Sequence, residues 1–205
     1  TEAGQGVAVL EQLGMGNAIL PVQVVVKFPE GQRATAAAAL RGLRALSDSL
    51  SADPRVGSVK SLVDLRPGTG ILEYSMLYSD RQAARADLGG VLDSYLSTDG
   101  SVTLLNVFLG DTTSLTSGMD VSRRARALAD APPKQLRDAN ILVGGYTSAA
   151  LDLQTVLLDR FPMLVLLILT CTAIMLAIVF RSVLVPIKAV IMNTLSVSAT
   201  FGLIV

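Results

Sequence analysis

The 205-residue chain has no histidine, no tryptophan and a single cysteine. Without histidine there is no Ser-His-Asp triad, no Cys-His pair, no HExxH zinc helix and no imidazole ligand for haem. The lone cysteine, Cys171, lies inside an apolar run, so the residues before it form no disulfide and offer no thiolate to zinc. A haem would need tyrosine or methionine as its ligand. Aromatic residues make up 4% of the chain and 17 basic residues balance 17 acidic ones, so no basic stripe interleaved with aromatics invites nucleic acid. Phosphate loops are missing too. The stretch GMGNAI, residues 14 to 19, lacks the third glycine of a dinucleotide loop, and no glycine-rich loop ends in Lys-Ser or Lys-Thr. No cofactor or metal is therefore expected, and of enzyme chemistries only a Ser-Lys pair stays formally open.

What the chain has in quantity is apolar sequence. Phe161 to Phe180, FPMLVLLILTCTAIMLAIVF, carries no charge and lies between Arg160 and Arg181. At about 1.5 Å per residue it covers the roughly 30 Å of a bilayer's hydrocarbon, which predicts a transmembrane helix. A buried soluble helix of that length shows a polar stripe; here the polar side chains are Thr170, Cys171 and Thr172, and helical hydroxyls bond back to the preceding turn. After RSVLVPIK, residues 181 to 188, a second apolar run extends from Ala189 to Val205. So short a connection predicts an antiparallel hairpin occupying residues 159 to 205, with spans 161 to 180 and 189 to 205. The connection holds Arg181 and Lys188 and no acid, whereas Asp159 and Arg160 balance at the other end of the first span. By the positive-inside rule the connection is cytoplasmic, and residues 1 to 158 lie outside a multi-pass protein of the cell membrane. Neither span contains Asp, Glu, Lys or Arg, so neither relays protons by itself. Asn193, Ser196 and Thr200 share a narrow arc, expected to face further spans, with ion passage the rival reading. A second span cut at Val205 and a first residue other than Met are expected of a piece of a longer membrane protein.

Before the span, periodicity changes several times. VQVVVKF at 22 to 28 alternates as a strand, and 32 to 52 takes helical spacing through Leu40, Leu43 and Leu50 until Asp53-Pro54 stops it. A weaker strand follows at 56 to 63. ILEYSMLYS, from Ile71, reads either as a strand or as a helix stacking Tyr74 on Tyr78, and the residues after it are mainly helical, weakened at Gly89-Gly90. SVTLLNVFLG, 101 to 110, is apolar on both faces and predicts a central strand. A Ser/Thr-rich turn at 111 to 118, a helix from Met119 to Ala131 and a strand at 140 to 145 complete the domain. Thr147 or Ser148 is expected to cap a last helix that runs into the membrane. This order predicts an α+β fold of ferredoxin-like, split βαβ type (βαββαβ), with both helices on one sheet face and a helical insertion at about 64 to 99.

Three stretches compete as sites with plainer explanations. The loop from Asp111 to Asp120 has acids and hydroxyls for calcium, but lacks the alternate-acid spacing of a calcium loop and reads better as a solvated turn. Tyr74, Met76 and Tyr78 offer a soft surface for a lipid tail or, more simply, packing. Gly144-Gly145 lines a binding surface or makes a tight turn.

The segments EAGQGVAVLEQLGMGNAILPVQVVV, DANILVGGYTSAALD and FRSVLVPIKAVIMNTLSVSATFG resemble the MmpL (mycobacterial membrane protein Large) branch of the resistance-nodulation-division (RND) transporters. The resemblance implies the second porter domain of a two-halved exporter plus its next two spans, moving lipids or other hydrophobic cargo on the proton gradient. Its implied partners are membrane lipid, a hydrophobic substrate, the remaining spans and a first porter domain of the same protein. The proton-coupling Asp-Tyr pairs of that branch lie in later spans and match no position here, so no catalytic residue carries over. The connection with Arg181, Pro186 and Lys188 carries over as a topological motif. The rival is an extracytoplasmic receptor or assembly module with a membrane anchor and no transport activity.

Overall fold

Val22, Val24 and Val26 alternate with Gln23, Val25 and Lys27, and a strand turns those two sets to opposite faces of a sheet. The three valines are fully buried and the alternate positions are not, so the sheet is covered on one side. The computed structural model describes residues 5, 6, 9, 21–66, 68–110, 115–180, 187–189, 191, 192, 195, 196 and 199. Among these, four strands form one antiparallel sheet: β1 (Val22–Lys27), β2 (Val56–Lys60), β3 (Val102–Leu109) and β4 (Asn140–Gly144), in the order β2-β3-β1-β4. Because every neighbouring pair is antiparallel, β1 and β2 point the same way with β3 between them, and β3 and β4 do so with β1 between them.

In register, Val22 faces Val107, Val24 faces Leu105 and Val26 faces Thr103, so all six side chains share the covered face. Helix α1 (Ala37–Ser51) lays Leu40, Leu43, Leu46 and Leu50 into the same core, a 3-3-4 spacing that keeps them on one stripe. Gly42 on α1 lets Leu136 approach, since a Cβ there would stand 2.7 Å from the Leu136 Cγ. The helix after β3 packs on the same core through Val121 and Ala125. It starts earlier than its sequence predicts: residues 115–118, read as part of a turn, already belong to a helix spanning Leu115–Asp130. Thr116, Ser117 and Gly118 are weak helix formers, but Gly118 and Val121 are buried, and packing outweighs propensity.

Between β2 and β3 the chain inserts three short helices, α2 (Ile71–Leu77), α3 (Arg81–Leu88) and α4 (Val91–Tyr95). The helix after β3, Leu115–Asp130, is therefore α5. Of the two alternatives for ILEYSMLYS the helix is correct: Tyr74 and Tyr78 stack one turn apart with centroids 5.7 Å apart. Both phenols are tied to backbone. Tyr74 Oη donates to the Arg66 carbonyl at 3.0 Å and accepts from its amide at 2.7 Å, and Tyr78 Oη donates to the Leu62 carbonyl at 2.6 Å. Burial pushes the Tyr78 phenol above its ordinary value. Asp64 fastens the insertion to α1 by accepting from Arg44 at 2.9 Å and from Ser47 at 2.9 Å, with Ser61 as a third donor.

The chain divides into two units, Thr1–Asp152 and Leu153–Val205. One helix, α6 (Tyr146–Phe180), begins in the first and continues in the second.

Two measurements test this core. Leu43→Ala is expected to cost about 2–5 kcal/mol in denaturant unfolding of the detergent-solubilised protein, because it empties a site enclosed by sheet and insertion. Asp53 accepts from the Arg55 side chain at 2.9 and 2.8 Å, which holds its carboxyl at about 2 instead of 3.8. Between those values the unfolded chain binds a proton that the folded chain refuses, so the contribution is present above pH 3.8 and lost as pH falls towards 2. Asp53→Asn is expected to flatten that part of the stability profile.

Candidate functional site

Gly145 starts the feature on which function turns. Its φ is 96°, and a Cβ there would stand 2.7 Å from the Pro21 carbonyl oxygen, so a residue without a side chain is required where β4 breaks into α6. This settles Gly144-Gly145 as a tight turn. Helix α6 then runs for 35 residues, about 52 Å at the standard rise. From Asp152 to Val179 no side chain is buried, and Met163, Leu166, Ile168, Met175 and Ile178 are each more than 60% exposed. A soluble core helix of that composition would have its apolar stripe covered. This helix is long and apolar enough to cross a membrane.

Within the apolar part, Thr170 Oγ1 donates to the Leu166 carbonyl at 2.8 Å and Thr172 Oγ1 to the Ile168 carbonyl at 2.7 Å. Both hydroxyls are thus satisfied inside their own helix, as the sequence predicts. Pro162 has no amide proton and leaves the Leu158 carbonyl without its helical donor, immediately after the charged pair Asp159 and Arg160.

At its base α6 is joined to α5 by polar groups that the sequence reading assigned differently. Thr147 and Ser148 do not cap the helix, which already starts at Tyr146; they lie within its first turn and are buried. Ser148 Oγ donates to Ser122 Oγ at 2.9 Å, Ser122 Oγ donates to the Gly118 carbonyl at 2.8 Å, and Thr147 Oγ1 lies 3.4 Å from Ser122 Oγ. A turn further on, Arg126 grips Asp152 with two parallel bonds of 2.6 and 2.9 Å. Those bonds hold the Asp152 carboxyl below its ordinary value and raise the Arg126 guanidinium above its own. Gly118 and Ser122 are small and four apart, but nothing local in the sequence links them to Thr147 and Ser148, which lie 25 or more residues further on.

Of the residues singled out from sequence, Arg181, Pro186, Asn193 and Thr200 lie outside the described residues, as does GMGNAI at 14 to 19. Lys188 and Ser196 are helical and exposed. Asp120 sits in α5, pairing with Arg55 at 2.9 Å and with Arg123 at 2.5 Å, and among the described residues no three acids, cysteines or histidines gather to hold a metal. Tyr74 and Tyr78 are core residues, whereas Met76 and its neighbour one turn back, Leu72, are 64% and 69% exposed. An open cavity of about 700 Å³ lies between the start of α1 and the end of α2, lined by Arg33, Thr35, Ser75, Ser79, Gln135 and Asp138. It presents both charge signs and no nucleophile with an adjacent base. No motif announces it, because its walls come from three separate stretches of the chain, before and in α1, at the end of α2, and at Gln135 and Asp138.

The model of the MMPL family matches residues 6–205. Over 86 residues the chain is 35% identical to the trehalose monomycolate exporter MmpL3 of Mycobacterium tuberculosis, in both strain CDC 1551 / Oshkosh and strain ATCC 25618 / H37Rv. That stretch is 42% of this chain and 9% of the relative, so the chain spans a small part of the exporter it matches. A sheet domain that leads through one unbroken helix into an exposed apolar segment is therefore found in a chain that belongs to the MMPL family, within the RND transporters.

Proposed function

We propose that this chain is a segment of a non-enzymatic exporter, driven by the proton gradient, that passes lipids or other hydrophobic molecules to the cell envelope. The observation that carries the proposal is α6: 35 helical residues, rooted in an α/β domain and with no buried side chain from Asp152 to Val179, in a chain matched by the family over residues 6–205. The order β2-β3-β1-β4, with α1 and α5 on one face, supports the ferredoxin-like split βαβ form of a porter domain. In this reading residues 1 to 158 are extracytoplasmic and carry the insertion as their variable part. Residues 161 to 180 and 189 to 205 are successive spans, and Arg181, Pro186 and Lys188 belong to a cytoplasmic connection. Asn193, Ser196 and Thr200 face further helices. Proton-relay groups lie in other spans, because the two apolar runs hold no ionisable carboxyl or amine. The relative's trehalose monomycolate makes a glycolipid the first cargo to test.

In this mechanism the domain shelters cargo and α6 ties its position to that of the membrane helices. A flexible Gly-Ser insertion after Asp159 in the full-length protein is expected to abolish export while the domain stays folded. Export is read as radiolabelled lipid arriving in the outer envelope after an acetate pulse. Unchanged arrival overturns the mechanism.

A further inference from the structure

A helix that passes force out of a domain must be held there in one register, and the base of α6 is built for that. Ser122, Thr147 and Ser148 are each at most 1% exposed, so their hydroxyls have no bulk water as a second choice of partner. Gly118 forms the seat. A Cβ on Gly118 would lie 2.5 Å from Thr147 Cγ2 and 3.0 Å from Thr147 Cβ, so the threonine fills the space that a side chain would take. No other glycine occurs in α5. Sliding α6 by one turn along α5 would set Thr147 against Leu115, or against Val121 and Ser122, each with a side chain in the way. The same slide would separate Ser148 from Ser122 and pull Asp152 away from the two nitrogens of Arg126.

We infer that Gly118, Ser122, Arg126, Thr147, Ser148 and Asp152 are positioning residues that lock α5 and the first two turns of α6 into one piece, which stays closed throughout the transport cycle. The inference rests on the transport reading for its cycle, but its geometry does not involve cargo. Distance measurement therefore separates the two. In the full-length protein with Cys171→Ser, spin labels are placed at two exposed positions, Arg123→Cys on α5 and Ala149→Cys on α6. In phospholipid vesicles the inter-label distance is expected to be a single narrow population, the same with and without a pH gradient. A second population appearing under the gradient overturns the closed joint. Gly118→Val is expected to broaden or split the distribution. Arg126→Asp, a surface change that leaves the core alone, is expected to broaden it as well, and Asp152→Arg added to Arg126→Asp is expected to narrow it again. Distributions unchanged by both Gly118→Val and Arg126→Asp would show that these residues do not hold the joint.

Discussion

Hydrocarbon supplies no hydrogen bonds, so every amide and carbonyl that enters it must find a partner within the protein. For residues 161 to 180 a helix meets that demand with its own ladder, and Thr170 and Thr172 return their hydroxyls to the same ladder. Much of this chain can be understood from that constraint. A helix that is apolar on every side cannot also be the core of the domain, so the domain must close its sheet with other elements. It does so with α1 and α5, both amphipathic, on the single face where Val22, Val24, Val26, Leu105 and Val107 gather. Helix α6 then leaves from the end of an edge strand, β4, where departure disturbs no ladder on its outer side.

Elements whose periodicity was set by burial on one face were legible in the sequence. The valines of β1 and the leucines of α1 announce their partners because one side of each element meets the core and the other meets water. The central place of β3 was legible from a different signal: its sequence is apolar on both faces, and it lies between β1 and β2. Boundaries governed by tertiary contact were not legible. Residues 115–118 look like a turn, and they are helical because Gly118 and Val121 pack against neighbours that no local pattern reveals. Ile71–Leu77 fits both periods over so short a length, and the choice falls to helix through tyrosine hydroxyls reaching Arg66 and Leu62.

The candidate site divides the same way. Its apolar length could be counted from the sequence, because hydrophobic thickness is a property of a contiguous run. Its base could not, because Thr147 and Ser148 suit two roles equally well. Next to a glycine turn they resemble caps, and only the presence of Ser122 on another helix makes them cross-links. The cavity beside α1 was invisible for a related reason: its lining residues are ordinary in themselves and meet only because the insertion and residues 134–138 both pack against α1.

Magnitudes decide which part of the α5 and α6 joint sets the register. The Arg126 and Asp152 pair is bidentate but lies partly in solvent, with side chains 37% and 59% exposed, where water screens such a pair and leaves little net attraction. The three buried hydroxyls contribute little more when paired, since each bond replaces one to water. Their asymmetry is what matters: leaving a buried hydroxyl unpaired costs about 1–3 kcal/mol. The Gly118 seat adds a steric term that solvent cannot screen, because a side chain pressed to 2.5 Å has to displace a helix. The buried pieces therefore fix the register and the ion pair orients it. A joint held by penalties against displacement, more than by attraction at rest, suits the force-transmitting role proposed for α6.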